Sequence, residues 1–406
     1  MNRTTLAAIA TLAGTTSALA GGLDRSGQNI DILFEEGTLA ELSLGYIMPS
    51  VDGVDQQPGY IGAAGPAANP NFGAGTGNVA DDFATGSLAV KQQVNERVSF
   101  ALILDEPYGS DISYPASGDT VDSLVFGPLL QTEASALGGT EATVNSFAVT
   151  ALGRYEFGNG FSAHGGLRYQ EIEADVTLGG LAYGALNGYR GRFERDGAYG
   201  YVIGAAYERP EIALRVALTY NSKIDHELRT TETLSGQTVT AGPSRTDVRA
   251  PESLNLDFQT GVAPGTLVFG SIRYARYEDL IVAPVFFDSL VDPTIQNSSL
   301  TDIENSLDFE IGVGRQFTDR FAASIAVGHN STGDDKLVSP LAPTNGSRTI
   351  ALGASYILTD QVKLSGGVRY TELGDALPET GTPDTARASF RDNSVVGVGM
   401  KVSYNF

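Results

Sequence analysis

The sequence predicts an all-β protein, a transmembrane antiparallel β-barrel of about 14 strands with a short N-terminal plug segment. Three observations carry that prediction. Apolar residues alternate with small or polar ones in successive segments of about ten residues, the length of a tilted membrane-spanning strand. The connections between those segments alternate between very short and long. The chain ends on the strand "VVGVGMKVSYNF", in which Val396, Val398, Met400, Val402, Tyr404 and the terminal Phe406 form one apolar row.

At the N-terminus, Arg3 precedes an apolar, Ala-rich stretch from Leu6 to Ala13, and Ala18-Leu19-Ala20 supplies small residues for cleavage. Residues 1–20 therefore read as a signal peptide for export. The stretch is too short to anchor the chain, since a spanning helix needs about 20 apolar residues. Residues 21–37 come next. In "QNIDILFEEG", Ile30, Leu33 and Phe34 fall at i, i+3 and i+4, which predicts a short helix with an apolar stripe, stopped by Gly37. So short a helix needs a surface to pack on, and the lumen is the nearest one. The segment is expected to be a plug; the plain alternative is a leader into the first strand.

Residues 38–406 read as the barrel. Explicit apolar rows are Phe147, Val149, Ala151, Tyr155 and Phe157; Ile212, Leu214, Val216, Leu218 and Tyr220; and Leu254, Leu256 and Phe258. Later rows are Leu307, Phe309, Ile311 and Val313; Ile350, Leu352, Ala354 and Tyr356; and Val362, Leu364, Val368 and Tyr370. Fainter strands begin near Thr38, Asn78, Arg97, Phe161, Gly197, Thr266 and Arg320.

Every other connection is tiny: Asn95-Glu96, Gly158-Asn159-Gly160, Glu208 to Glu211, Ala263-Pro264-Gly265, Thr318-Asp319 and Thr359-Asp360-Gln361. Between them lie long ones: Pro49 to Gly77, Tyr108 to Thr140, Gly179 to Asp196, Asp225 to Pro251, Asp279 to Asp302, Asn330 to Gly346 and Glu372 to Asp392. That is the layout of an outer-membrane barrel, with periplasmic turns and outer loops. A soluble all-β sandwich or β-helix would leave the alternation of connection lengths unexplained.

Composition excludes several function classes. With 48 acidic against 26 basic residues, a net charge of −22 leaves no basic footprint for nucleic acid. The chain has no cysteine, so thiolate metal sites and thiol nucleophiles are out. The histidines His164, His226 and His329 lie in no local motif with a serine or carboxylate, so no catalytic residue is assigned. "GAGTGN" at Gly73 to Asn78 precedes no helix and reads as loop, not as a phosphate cradle. Asp119, Asp122 and Asp334-Asp335 read as solvated loop acids, and no metal or cofactor is expected.

If the apolar rows face lipid, the lumen receives Arg154, His164, Arg168, Arg215, Asp257, Arg273, Asp308, Glu310, Lys363, Arg369 and Lys401. Arginines such as Arg168 and Arg215 offer a planar fork to a carboxylate ligand; the alternative is a salt-bridged ladder that stiffens the barrel. In the long loops, "VFGPLL" and "VAPVFF" put Phe126, Leu129, Leu130, Phe286 and Phe287 where a loop that met only water would not need them, which marks them as contacts for a hydrophobic molecule or for a partner.

Several stretches resemble the FadL/TodX/OMPP1 family of outer-membrane transporters for hydrophobic compounds. "LAELSLGYIMPSVDG" from Leu39 to Gly53 is similar to the family's first strand and loop. "NERVSFALILDEPYGSDISYP" from Asn95 to Pro115 is similar to its third strand, with Pro107-Tyr108-Gly109 as the turn that follows. "FTDRFAASIAVGH", "LTDQVKLSGGVRY" and the final "VSYNF" fit the same pattern. The resemblance implies a monomeric fourteen-stranded barrel, and an N-terminal hatch with an Asn-Pro-Ala motif. Here Asn29-Ile30-Asp31 stands in that place, and the segment is shorter. The implied function is uptake of hydrophobic small molecules, first among them long-chain fatty acids, across an outer membrane of lipid and lipopolysaccharide in a Gram-negative bacterium. A surface barrel that acts as adhesin or scaffold, and a general hydrophilic porin, are the alternatives.

Overall fold

The computed structural model describes residues 23–56, 59–62, 65–68, 73–116, 135–291, 298–333, 335–381 and 384–406. One antiparallel sheet closes on itself. Its strands are Leu39–Ser50, Phe83–Gln93, Val98–Asp105 resumed at Gly109–Ser113, Glu141–Glu156, Phe161–Leu178, Tyr189–Arg209 and Leu214–Asn221 resumed at Ile224–Leu234. They continue as Ser244–Ala250 resumed at Glu252–Ala263, Thr266–Arg276, Ser306–Gln316, Phe321–Asn330, Ser347–Ile357, Val362–Leu373 and Ser394–Asn405. With resumed pieces counted once, this is a closed 14-strand barrel. The last strand pairs with the first from Leu39↔Asn405 to Ser50↔Ser394 without a shift. Short and long connections alternate as the sequence reading expects.

The alternation has its expected meaning. Tyr404, Met400 and Val398 point outward and are exposed, while Lys401 and Ser403 between them point inward and are buried. Exposed aromatic rings gather at both edges of the apolar belt. On the short-turn side stand Tyr155, Phe157, Phe161, Phe317, Phe321, Tyr356 and Phe406; on the loop side stand Tyr46, Tyr199, Tyr201, Tyr274 and Tyr370. Two such girdles mark the interfaces of a membrane-embedded barrel.

Above the outer girdle the strands continue, and here the expected boundaries need correction. The sixth strand begins at Tyr189, not near Gly197, and most of the expected loop from Asp225 to Pro251 is strand. The reason is a change of phase. A bulge between Phe193 and Asp196 shifts the sixth strand by one residue, so odd-numbered Tyr189 and Phe193 point into the core whereas odd-numbered Tyr199, Tyr201 and Ile203 point out. The seventh strand changes phase across its break after Asn221, where buried Leu228 and Thr230 follow buried Ala217 and Thr219. Outside the bilayer the outer row becomes charged, with ion pairs such as Arg190–Asp175 and Arg249–Asp225. The apolar-out rhythm that reveals a spanning strand ends there, although the strand does not. Two other boundaries move: the second strand starts at Phe83 rather than near Asn78, and Ile212 belongs to the 3-10 turn Pro210–Ile212. Pro210 has no N–H for the ladder.

Candidate functional site: the lumen and its N-terminal segment

The third strand is interrupted where the sequence reads Glu106-Pro107-Tyr108. A loop after the strand is expected there; instead the strand resumes at Gly109. Pairing between the second and third strands begins only at Leu88↔Leu104, so Phe83–Ser87 stand beside the interruption outside that ladder. The N-terminal segment lies across this break. Arg25 N–H donates to the Pro107 carbonyl, Gly109 N–H donates to the Leu23 carbonyl, and Asp24 faces Tyr108 in a bridge. The Arg25 guanidinium sits 4.2 Å from the centre of the Phe83 ring and donates to Asp111 at 2.6 Å. Gly109 permits this approach, because a Cβ there would collide with that guanidinium.

From Arg25 the chain crosses the lumen. Asp24 pairs with Arg273 at 2.6 Å, Ser26 Oγ donates to Asp105 at 2.6 Å, and Gln28 bonds the Tyr108 hydroxyl at 3.1 Å. Asp31 pairs with Arg215 at 3.0 Å. Ile30, Ile32 and Leu33 are buried with Leu39, Ala89, Ile103, Leu152 and Val202. Phe34 meets His164 edge-on at 5.6 Å and lies under two guanidinium groups, Arg154 at 4.8 Å and Arg215 at 4.9 Å. The expected helix is only the 3-10 turn Asp31–Phe34, ended by extended Glu35. Gly37 does adopt a left-handed φ of 78°, but it turns the chain into the first strand rather than capping the helix. Isolated short helices are marginal, and here side-chain contacts around the lumen set the backbone.

Most of the lumen charges named from the sequence are paired or hydrogen-bonded. Arg154 pairs with Glu208, Arg369 with Glu310 at 2.7 Å and Lys401 with Glu41 at 3.5 Å. Arg168 is buried and donates to Thr150 at 2.8 Å and Asn221 at 3.1 Å. Lys91, which sequence reading did not single out, is buried and donates to the Glu35 carbonyl. Asp24, Arg25 and Asp31 were missed likewise; their partners lie 86 to 249 positions away, and no local pattern marks them.

Among the described residues, several cavities lie along the axis, and one of about 90 Å³ sits between the segment and Glu41, Ser43, Asp105 and Lys401 of the wall. On the loop side of the segment, about 50 Å³ is bounded mainly by apolar side chains, among them Pro49, Val51, Ala80, Phe83, Ile112, Leu373 and Val395, with Asp24, Arg25, Asp81 and Asp111 also in its wall. Beside the segment, about 160 Å³ is lined by polar groups, among them Asn255, Asp257, Arg273, Asp308 and Glu310. On the short-turn side a chamber of about 900 Å³ holds Phe34, Lys91, Arg154 and six glutamates.

Over the outer cavity the loops build two apolar clusters. One centres on Ile47, Val79, Tyr114, Leu137 and Phe390. The other holds Tyr189, Phe193, Leu228, Tyr277 and Leu300, together with Phe286 and Phe287 from the short helix Val285–Val291. Phe287 is buried, its ring 5.7 Å from Tyr189, and Phe286 is partly buried. Both backbone N–H groups donate to buried Glu232, which also accepts from Tyr189 Oη. Phe126, Leu129 and Leu130, with Asp119, Asp122 and Asp334, lie outside the described residues. In the loop strand Leu377–Thr380, burial and the nearby Asp384, Asp302 and Asp335 push the Glu379 carboxyl up to about 7. His226 approaches Asp196 at 3.2 Å, but its other ring nitrogen faces Gln170, which is no nucleophile.

These features define a transmembrane barrel whose lumen is occupied by its own N-terminal segment. Solved structures share that fold. A Pseudomonas aeruginosa FadL homologue superposes with a TM-score of 0.68 over 98% of each chain, at 14% identity. The Pseudomonas putida toluene transporter TodX gives 0.60 over 98% of each chain at 13% identity. The CymD monoaromatic hydrocarbon channel gives 0.57 over 99% of this chain and 98% of the other, at 10% identity. No protein-family model and no curated protein matches the sequence. The chain therefore has the fold of the FadL-type channels, a likeness of structure at low sequence identity.

Proposed function

We propose that the protein is an outer-membrane channel through which hydrophobic small molecules enter a Gram-negative cell. The observation that carries this reading is the succession of environments along the axis. Apolar loop clusters lead to an apolar pocket, and the pocket ends on the N-terminal segment, below which the lumen is polar. An apolar molecule is welcome above the segment and gains nothing from the charged groups beneath it. The pocket of about 50 Å³ is smaller than the roughly 150 Å³ apolar cavity known to take benzene, so it must widen to accept cargo. The break in the wall beside Glu106-Pro107, covered by Arg25, is the nearest way from that pocket to the bilayer, and residues 21–37 act as the plug. Export by a cleaved signal peptide, function as a monomer and contact with lipopolysaccharide complete the reading.

Long-chain fatty acids are the cargo we place first, with Arg168 or Arg215 as carboxylate partners and Phe126, Leu129, Leu130, Phe286 and Phe287 as first contacts. An uncharged aromatic hydrocarbon is the second reading. It is favoured by the engagement of Arg25, Arg168 and Arg215 with groups of the protein itself. Mass spectrometry of small molecules extracted from the purified protein tests both. Stoichiometric fatty acid supports the first, and hydrocarbon uptake by expressing cells without bound fatty acid supports the second. Absence of both binding and uptake would leave an adhesin or a porin as the function.

A further inference from the structure

Two chambers of the lumen adjoin at shared wall residues. The cavity of about 160 Å³ beside the N-terminal segment and the chamber of about 900 Å³ on the short-turn side share Arg215 and Gln259 in their walls. Asp31 lines the first and Phe34 the second. Arg215 is held there by its 3.0 Å bond to Asp31, with the Phe34 ring 4.9 Å from the guanidinium carbon. Above the junction Asn255, Asp257 and Asp308 face the space; below it the larger chamber sets six glutamates against Lys91, Arg154 and Arg215. Walls of this kind solvate ions, and a surplus of one sign in a narrow, low-dielectric enclosure concentrates the opposite one.

We infer that the lumen holds an aqueous path for small hydrated cations, separate from the route of hydrophobic cargo, and that the Asp31–Arg215 pair with Phe34 is its constriction. The inference rests on the plug reading of residues 21–37. Without the carboxylate, Arg215 loses the one side-chain ion pair that holds it to the N-terminal segment; without the guanidinium, Asp31 and the Phe34 ring lose their shared anchor, and the single 3-10 turn that carries them is marginal alone.

The test uses the full-length protein in planar bilayers under a potassium chloride gradient, with heat-modifiable gel mobility to admit only folded barrels. Arg215→Gln and Asp31→Asn should each raise mean conductance by roughly threefold or more, with a reversal potential on the potassium side. Asp31 is outside the barrel wall, so its variant reports even if Arg215→Gln assembles poorly. The double variant should conduct like either single one, because both remove the same contact. Parent-level conductance in both single variants, additive effects in the double, or chloride selectivity would overturn the inference. Deletion of residues 22–36 separates the two levels. If the deletion conducts while the single variants do not, the pair is not the constriction; if the deletion also matches the parent, the plug reading itself falls.

Discussion

The barrel is closed in two different ways on two sides of its first strands. At the seam, the first and last strands pair over their whole length, and nothing but those strands is needed. At the break between the second and third strands, the ladder stops at Leu88↔Leu104 and returns only as a bridge at Ala80↔Ile112, and the wall between them is completed from inside by Leu23, Asp24 and Arg25. A complete ladder cannot open without losing its own backbone hydrogen bonds, each costly to leave unpaired in a bilayer. A wall completed by a separate segment can open by moving that segment. The seam is therefore architecture, whereas the break is the passage only under the function proposed above.

The largest effect should come from stapling the break. Asp24 faces Tyr108 in an antiparallel bridge, and the chain has no cysteine, so Asp24→Cys with Tyr108→Cys ties the covering segment to the broken strand by one defined cross-link. Oxidised protein should lose at least about tenfold in cargo uptake, a change of roughly 1.4 kcal/mol in the limiting step, and recover it on reduction. Equal uptake in both states would mean that cargo leaves elsewhere. A charge at the seam should harm assembly instead: Val398→Arg, on the outward row, is expected to cost about 2–4 kcal/mol in unfolding from lipid vesicles, and Phe406→Asp at the interface only about 0–1 kcal/mol. Equal costs would put the girdle in the wrong place.

A smaller effect separates the two sides directly. Arg25→Ala removes the Asp111 pair and the cation over Phe83, and should speed hydrogen exchange at the Arg25 and Gly109 amides by about tenfold, near 1–2 kcal/mol. Seam amides such as Leu42 and Met400 should not change. The smallest effect is in the outer loops, far from both closures. Glu379 is raised from 4.5 to about 7, so the folded loop holds a proton that the unfolded one releases. Its contribution is fully present below pH 4.5 and is lost as pH rises through about 7. Amide protection in Leu377–Thr380 should therefore be greater at pH 5 than at pH 8, and Glu379→Gln should flatten the difference.

Some of the candidate site was legible. Ile30, Leu33 and Phe34 mark an apolar patch that needs a partner, and all three meet the lumen wall. Arg215 was legible as a lumen charge because it alternates with Leu214 and Val216. Its tie to Asp31 was not, because the two lie 184 positions apart and either could pair with other charges. The interruption at Pro107 left a trace, since proline cannot donate to a ladder, but the sequence does not say whether the strand resumes.

The sequence by itself determined the wall: strand existence, strand count, which row meets lipid and which connections are short. It can do so because lipid is one uniform partner, and any outward residue must satisfy the same condition wherever it stands. Only the tertiary structure decided what fills the wall. Inside the lumen and above the outer girdle each side chain answers to particular neighbours brought there by closure. The phase changes after Asn221 and at Phe193, the passage of Arg25 behind the broken strand, and the seating of Phe34 between Arg154 and Arg215 all depend on which strands face one another across the barrel.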